Sequence, residues 1–192
     1  MNFKHFFIYF LIIPTKLFAA DIYVNSSGAA GTYNTLSGAH QAASDGDRII
    51  ISTLLTLIED VTISKSVTIT SAASGSSFVL DGTMAIEANA NKEIRIVGGE
   101  INALAFQLGT ATDSTKCKLY LIESVIETDI WASIEGFSLN LLFCEMPQRQ
   151  IVFKFGNLIG NDVLSFHPRY GTGIYKNDTM NFIGNRVRFL SK

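Results

Sequence analysis

Leu119-Tyr120-Leu121-Ile122-Glu123-Ser124-Val125-Ile126 returns twenty residues later as Leu139-Asn140-Leu141-Leu142-Phe143-Cys144-Glu145-Met146. Each segment opens on an apolar residue, a polar or amphipathic one, and a second apolar one. Each then passes a small or polar corner to a further apolar position. The opening triplet also occurs as Val67-Thr68-Ile69, Ile94-Arg95-Ile96 and Met180-Asn181-Phe182. From Val67 the successive offsets are 27, 25, 20 and 41 residues, the last fitting two turns. The position beyond the corner is filled by Ile101, Ile126, Met146 and Val187. Alternation of this kind marks half-buried strands, and repeats of roughly 20 to 50 residues mark solenoids or arrays. In such a coil each repeat buries its inward side chains only against its neighbours.

The rest of the chain after Gly46 has the same rhythm. Arg48–Ile51, Val61–Ile63, Phe78–Leu80 and Ile151–Phe155 are further short β-rich runs ending at turn or charged residues. No long helical segment separates them, which excludes a doubly wound α/β sheet. Before Gly46 the pattern differs. Asp21–Val24 reads as a first strand. Leu36, Ala39, His40 and Ala43 then follow at helical spacing, with Asn34 or Thr35 as N-cap and Gly46 as the stop. The helix is short and rich in small residues, so its apolar stripe needs a partner surface.

Three stretches sharpen this picture: Gly31-Thr32-Tyr33-Asn34-Thr35-Leu36, Ala42 through Ile51, and Glu59-Asp60-Val61-Thr62-Ile63-Ser64-Lys65-Ser66-Val67-Thr68-Ile69. Together, over residues 21–82, they resemble the N-terminal cap and first turns of pectin-lyase-like right-handed β-helix proteins, most closely the large secreted bacterial surface proteins of that fold. The resemblance implies a helix that plugs the open end of the coil. The expected fold is therefore a right-handed parallel β-helix with one short N-terminal capping helix. Residues 21–52 form the cap and first strands, and residues 53–192 the stacked turns.

Lys4 and His5 followed by the apolar run Phe6–Ile13 read as a secretory leader. The run falls far short of the roughly 20 residues of a spanning helix, and Pro14 and Lys16 interrupt it. Leu17-Phe18-Ala19-Ala20 offers a cleavage site, so residues 1–20 are expected to be removed, leaving no membrane span and a secreted or cell-surface product. Losing Lys4 and Lys16 moves the formal charge from −2 to −4, a poor balance for binding nucleic acid. Cys117 and Cys144 would face an oxidising compartment. In the aligned repeats they lie seven residues apart along the strand path, roughly 20 Å if extended. A disulfide needs Cα atoms within about 7 Å, so both are expected to stay unpaired. The histidines are isolated from one another, so no metal or cofactor is expected.

Catalytic members of the resembled superfamily use clustered aspartates with Gly-His-Gly and Arg-x-Lys segments, or acidic calcium ligands on neighbouring turns with an arginine base. Neither set is present. His167 lacks flanking glycines, and in the aligned column Glu100, Val125, Glu145 an apolar residue interrupts the acids. Asp45 and Asp47 read as turn formers around Gly46, Glu59 and Asp60 as a solvated rim, and Glu123, Glu127 and Asp129 as a solvated acidic face. Thr68, Arg95, Tyr120, Asn140 and Asn181 should point outward on successive turns as a polar ladder. His167, Arg169 and Tyr170 add polar and aromatic groups in a Gly/Pro loop. Arg95, Tyr120, Asn140, Asn181, His167, Arg169 and Tyr170 are thus the candidate ligand-binding residues, with a polysaccharide as the natural partner. The expected function is a non-catalytic glycan-binding or structural module. The rivals are a polysaccharide lyase or glycoside hydrolase with an unfamiliar site, and a shortened copy of a larger surface protein. One column runs against this pattern. Val97, Ile122, Leu142 and Ile183 should face outward by strict alternation, yet all are large and apolar, which calls for cover by the chain itself or by a second copy.

Overall fold

The computed structural model describes residues 19–25, 27, 29–52, 54–73, 77–132, 134–153, 155–166 and 180–187. Almost all of the expected leader and the loop holding His167, Arg169 and Tyr170 lie outside these residues. Two nine-stranded sheets account for the described strands.

The chain opens in the first sheet with β1 (Asp21–Val24) and β2 (Thr32–Tyr33), forms α1 (Leu36–Ala42), and returns as β3 (Arg48–Ile51) beside β1. It crosses to the second sheet for β4 (Thr56–Leu57) and β5 (Val61–Ile63), then back for β6 (Thr68–Ser71). The same exchange repeats with β7 (Phe78–Ala88), β8 (Glu93–Val97), β9 (Gly99–Leu108) and β10 (Cys117–Ile122). After β11 (Val125–Ile126) and β12 (Ile130–Ala132) in the second sheet come β13 (Phe137–Leu142) in the first and β14 (Glu145–Phe153) in the second. The last exchanges are β15 (Phe155–Ile159), β16 (Asp162–Phe166), β17 (Met180–Ile183) and β18 (Arg186–Val187). Every pairing is parallel.

The register reproduces the sequence repeat. Ile69, Ile96, Leu121, Leu141 and Leu158 stand side by side on successive strands, all fully buried. Leu57, Leu80, Ile101, Ile126 and Met146 do the same in the second sheet. The interval from Leu139 to Met180 does contain two turns, for β15 lies between them with Gly156 paired to both. A Cβ at Gly156 would sit 1.6 Å from the Leu139 carbonyl oxygen, at φ +151. Only glycine fits there, and its lack of a side chain hides the turn from an apolar pattern. The run expected at Ile151–Phe155 instead belongs to the end of β14 and the start of β15.

The helix forms as its pattern requires, with the Thr35 hydroxyl accepting from the Gly38 N–H at 3.0 Å. It stops at Ala42, with Ala43 extended, rather than at Gly46. Gly46, at φ +96, makes the turn into β3 instead. Leu36, Ala39 and Ala43 are buried in the shared core, which gives the apolar stripe its partner surface. Glu59 is not the solvated rim its composition suggested. Its two carboxylate oxygens accept from the Leu36 and Ser37 N–H groups at 2.6 and 3.0 Å. Lys65 closes the other end, its Nζ donating to the carbonyls of His40, Gln41 and Ala43. One short segment thus supplies the charge that suits each end of the helix. Asp47 is buried and accepts from the Ala20 and Ser44 N–H groups.

Corners from the first sheet to the second share one backbone. Gly98, Glu123, Phe143, Gly160 and Gly184 all have positive φ, a conformation few non-glycine residues adopt. The next residues, Ser124, Cys144, Asn161 and Asn185, bind from turn to turn. The Cys144 N–H donates to Asn161 Oδ1 at 2.8 Å, and the Asn161 N–H to Asn185 Oδ1 at 2.9 Å. Their amide nitrogens donate to the Leu141 and Leu158 carbonyls at 3.0 and 2.7 Å. Cys117 and Cys144 are both free and buried, and the pairing of Leu121 with Leu141 keeps them seven residues apart.

Candidate ligand-binding face

On the outer face of the first sheet the register joins Asp21, Arg48, Thr68, Arg95, Tyr120, Asn140, Asn157 and Asn181 into one column. The aligned triplets thus bring together four of the candidate binding residues. Arg95, Tyr120 and Asn140 are immediate neighbours, and Asn181 follows one strand beyond Asn157. Arg48 and Asn157 escaped the sequence reading. Arg48 lies in a run of isoleucines, and Asn157 sits on the turn that Gly156 conceals.

The column is tied together internally. The Arg95 guanidinium lies 4.7 Å from the centre of the Tyr120 ring, a cation–π contact, and both its Nε and Nη2 donate to Glu93. Arg48 donates from Nε and Nη2 to the two Asp21 oxygens at 2.9 and 2.6 Å. That hydrogen-bonded pairing holds the Asp21 carboxyl below its ordinary range. Asn140 departs from expectation. It occupies an outward position but is only 3% exposed, with Nδ2 donating to the Leu119 carbonyl and Oδ1 accepting from Asn157 Nδ2. Its amide serves the backbone, so Arg95 and Tyr120 are the described candidates that face solvent.

Two strand positions further on runs the apolar column Ile50, Val97, Ile122, Leu142, Ile159 and Ile183, with Thr70 between the first two. Val97, Ile122, Leu142 and Ile159 are half-buried, and Ile183 is 59% exposed. Neither complete cover nor free exposure describes the column.

The remaining reactive groups are engaged in structure. Burial raises both cysteine thiols to about 11, which keeps them protonated and unreactive. His40 is buried, its Nε2 accepts from the Ser64 N–H at 3.2 Å, and desolvation followed by the Lys65 charge lowers its pKa. Glu100, Val125, Glu145 and Asp162 share a column on the second sheet, so the apolar interruption persists. Among the described residues no three His, Cys, Asp or Glu side chains are placed to hold a metal ion, and no helix is long and apolar enough to cross a membrane. No protein-family model, curated protein or solved structure matches this chain.

Proposed function

We propose that the chain winds as a right-handed parallel β-helix, is exported, and acts as a non-catalytic surface or extracellular module binding an extended glycan across its first sheet. The winding is supported by the repeated exchange of the chain between two parallel sheets from β3 onward, since connections between parallel strands are right-handed in nearly every case. Export rests on the leader pattern of residues 1–20. The observation that carries the glycan reading is the continuous outward column through Arg48, Thr68, Arg95 and Tyr120, with a guanidinium laid on an exposed-side tyrosine. Side chains that combine a flat apolar body with a polar edge suit sugar rings, which have the same two-sided character.

A lyase or hydrolase needs two ionisable groups converging on one cleft, and the charged groups of the column are already paired, Arg48 with Asp21 and Arg95 with Glu93. A glycan array probed with the full chain tests the binding reading, and depolymerisation assays with and without calcium test the enzymatic one. Retention of at least one glycan class without chain cleavage is the expected result. Cleavage of any polysaccharide would replace this reading with the enzymatic one. Sequencing of an exported product is expected to give Ala20 or Asp21 as its first residue.

A further inference from the structure

Beside β3, β6 and β8 of the first sheet a cleft of about 480 Å³ opens. Its strand side is formed by Arg48, Ile50, Thr70 and Val97, and Ser71, the last residue of β6, and Ser77 also line it. Glu123, from the corner after β10, stands at its rim. Ile50, Thr70 and Val97 are direct register neighbours, so the floor is two branched aliphatic side chains with a threonine between them.

We propose that this cleft holds a neutral pyranose unit of the glycan, and that the face therefore selects uncharged rather than uronic-acid polysaccharides. The proposal rests on the glycan-binding reading and narrows it. The volume lies within the range of small-ligand sites. The aliphatic floor matches the C–H face of a sugar ring, and the hydroxyls and Glu123 match its hydroxyl edge. The charge arrangement selects against acids. Among the described lining residues the one cation, Arg48, already gives two donors to Asp21, and Glu123 adds a further negative charge. An incoming carboxylate would meet a guanidinium whose charge Asp21 already offsets, while facing Glu123. The neighbouring cations follow the same rule, with Arg95 held by Glu93 and Lys92 by Asp45.

Titration calorimetry of the full chain with cellohexaose, hexagalacturonate and a chitosan hexamer decides the matter. Cellohexaose should bind, with an affinity changing less than about twofold between roughly 0.05 and 0.5 M salt, because no ion pairs are exchanged. Thr70→Trp, which fills the cleft from its middle, should weaken that binding by at least about tenfold with the melting temperature retained. If Thr70→Trp unfolds the chain, Glu123→Lys is the substitute, and it should weaken cellohexaose and admit hexagalacturonate. Tighter binding of hexagalacturonate or the chitosan hexamer by the wild type would overturn the neutral-sugar inference and leave the glycan reading standing. Cellohexaose binding that survives a folded Thr70→Trp would remove the cleft from the site. Binding of none of these, together with an empty glycan array, would overturn both.

Discussion

Around α1, charged side chains reach across to the helix ends. Glu59 takes its first two N–H groups, Lys65 its last carbonyls, and Asp47 ties the turn into β3 to Ala20, just before β1. At the corners of the later turns a similar task falls to small uncharged groups. Ser124, Cys144, Asn161 and Asn185 each accept from, or donate to, the backbone of an adjoining turn. The difference follows from geometry. A helix end concentrates several unpaired backbone groups of one sign, which a full charge satisfies well. A repeating corner leaves one N–H and one carbonyl per turn, which an amide matches because it both donates and accepts. Parallel register is therefore guarded by two devices that should fail under different challenges.

The largest failure should come from breaching the cap. Leu36 is fully buried, and Leu36→Asp should cost about 4 kcal/mol or more, as burying an unpaired charge does. Denaturant melts and light scattering would register it as lost stability and aggregation. Leu54→Asp, at an 80% exposed position, is the control expected to melt like the parent. Parent-like behaviour of Leu36→Asp would remove the helix from its capping role.

Breaking the corner ladder should cost less. Asn161 is 1% exposed, and replacing it with Ala leaves the Cys144 N–H and the Leu141 carbonyl without its amide. A loss of roughly 2–4 kcal/mol follows from one unsatisfied group at each site, read from urea midpoints at constant slope. Glu59→Ala should cost about 1–2 kcal/mol, the range of a lost helix cap, and Glu59→Gln should recover part of it.

The two devices should also separate by pH. Cys144 titrates near 9.0 when unfolded and about 11 when buried. Its contribution is complete below pH 9.0 and disappears as pH rises towards 11, on the order of 2–3 kcal/mol. His40 at the capped end works in the opposite direction. Its folded pKa lies below the unfolded 6.5, so its contribution is complete above that value and is lost as pH falls beneath it. Cys144→Ser should flatten the alkaline limb of a melting-temperature profile and His40→Gln the acid limb. A profile in which either variant changes the wrong limb would break the assignment.

Inward columns were legible in the sequence because burial imposes apolar residues at a fixed interval on every turn. Val67-Thr68-Ile69 and its counterparts align in the structure as they do by pattern, and so does the helix stripe from Leu36 to Ala43. The turn at Phe155–Ile159 was legible only as a gap of double length, since Gly156 meets a backbone approach that no side chain tolerates. The clamps at Glu59 and Lys65 join residues more than 20 positions apart, and no local period records such a bond. Of the candidate binding face, the ladder through Arg95 and Tyr120 was readable from alternation. The cleft was not, because it depends on how Ala72, Ala73, Ser77 and the corner at Glu123 stand beside the sheet.

The parallel register itself is the claim on which the rest depends. Spin labels at Thr70 and Ile183, in a chain whose Cys117 and Cys144 are replaced, probe it directly by pulsed electron resonance. The two positions are joined through Val97, Ile122, Leu142 and Ile159. Five steps of about 4.8 Å place their backbones roughly 24 Å apart. A single distribution consistent with that separation is the expected result. A distance corresponding to a backbone separation beyond about 35 Å, more than seven such steps, would contradict the stacked register.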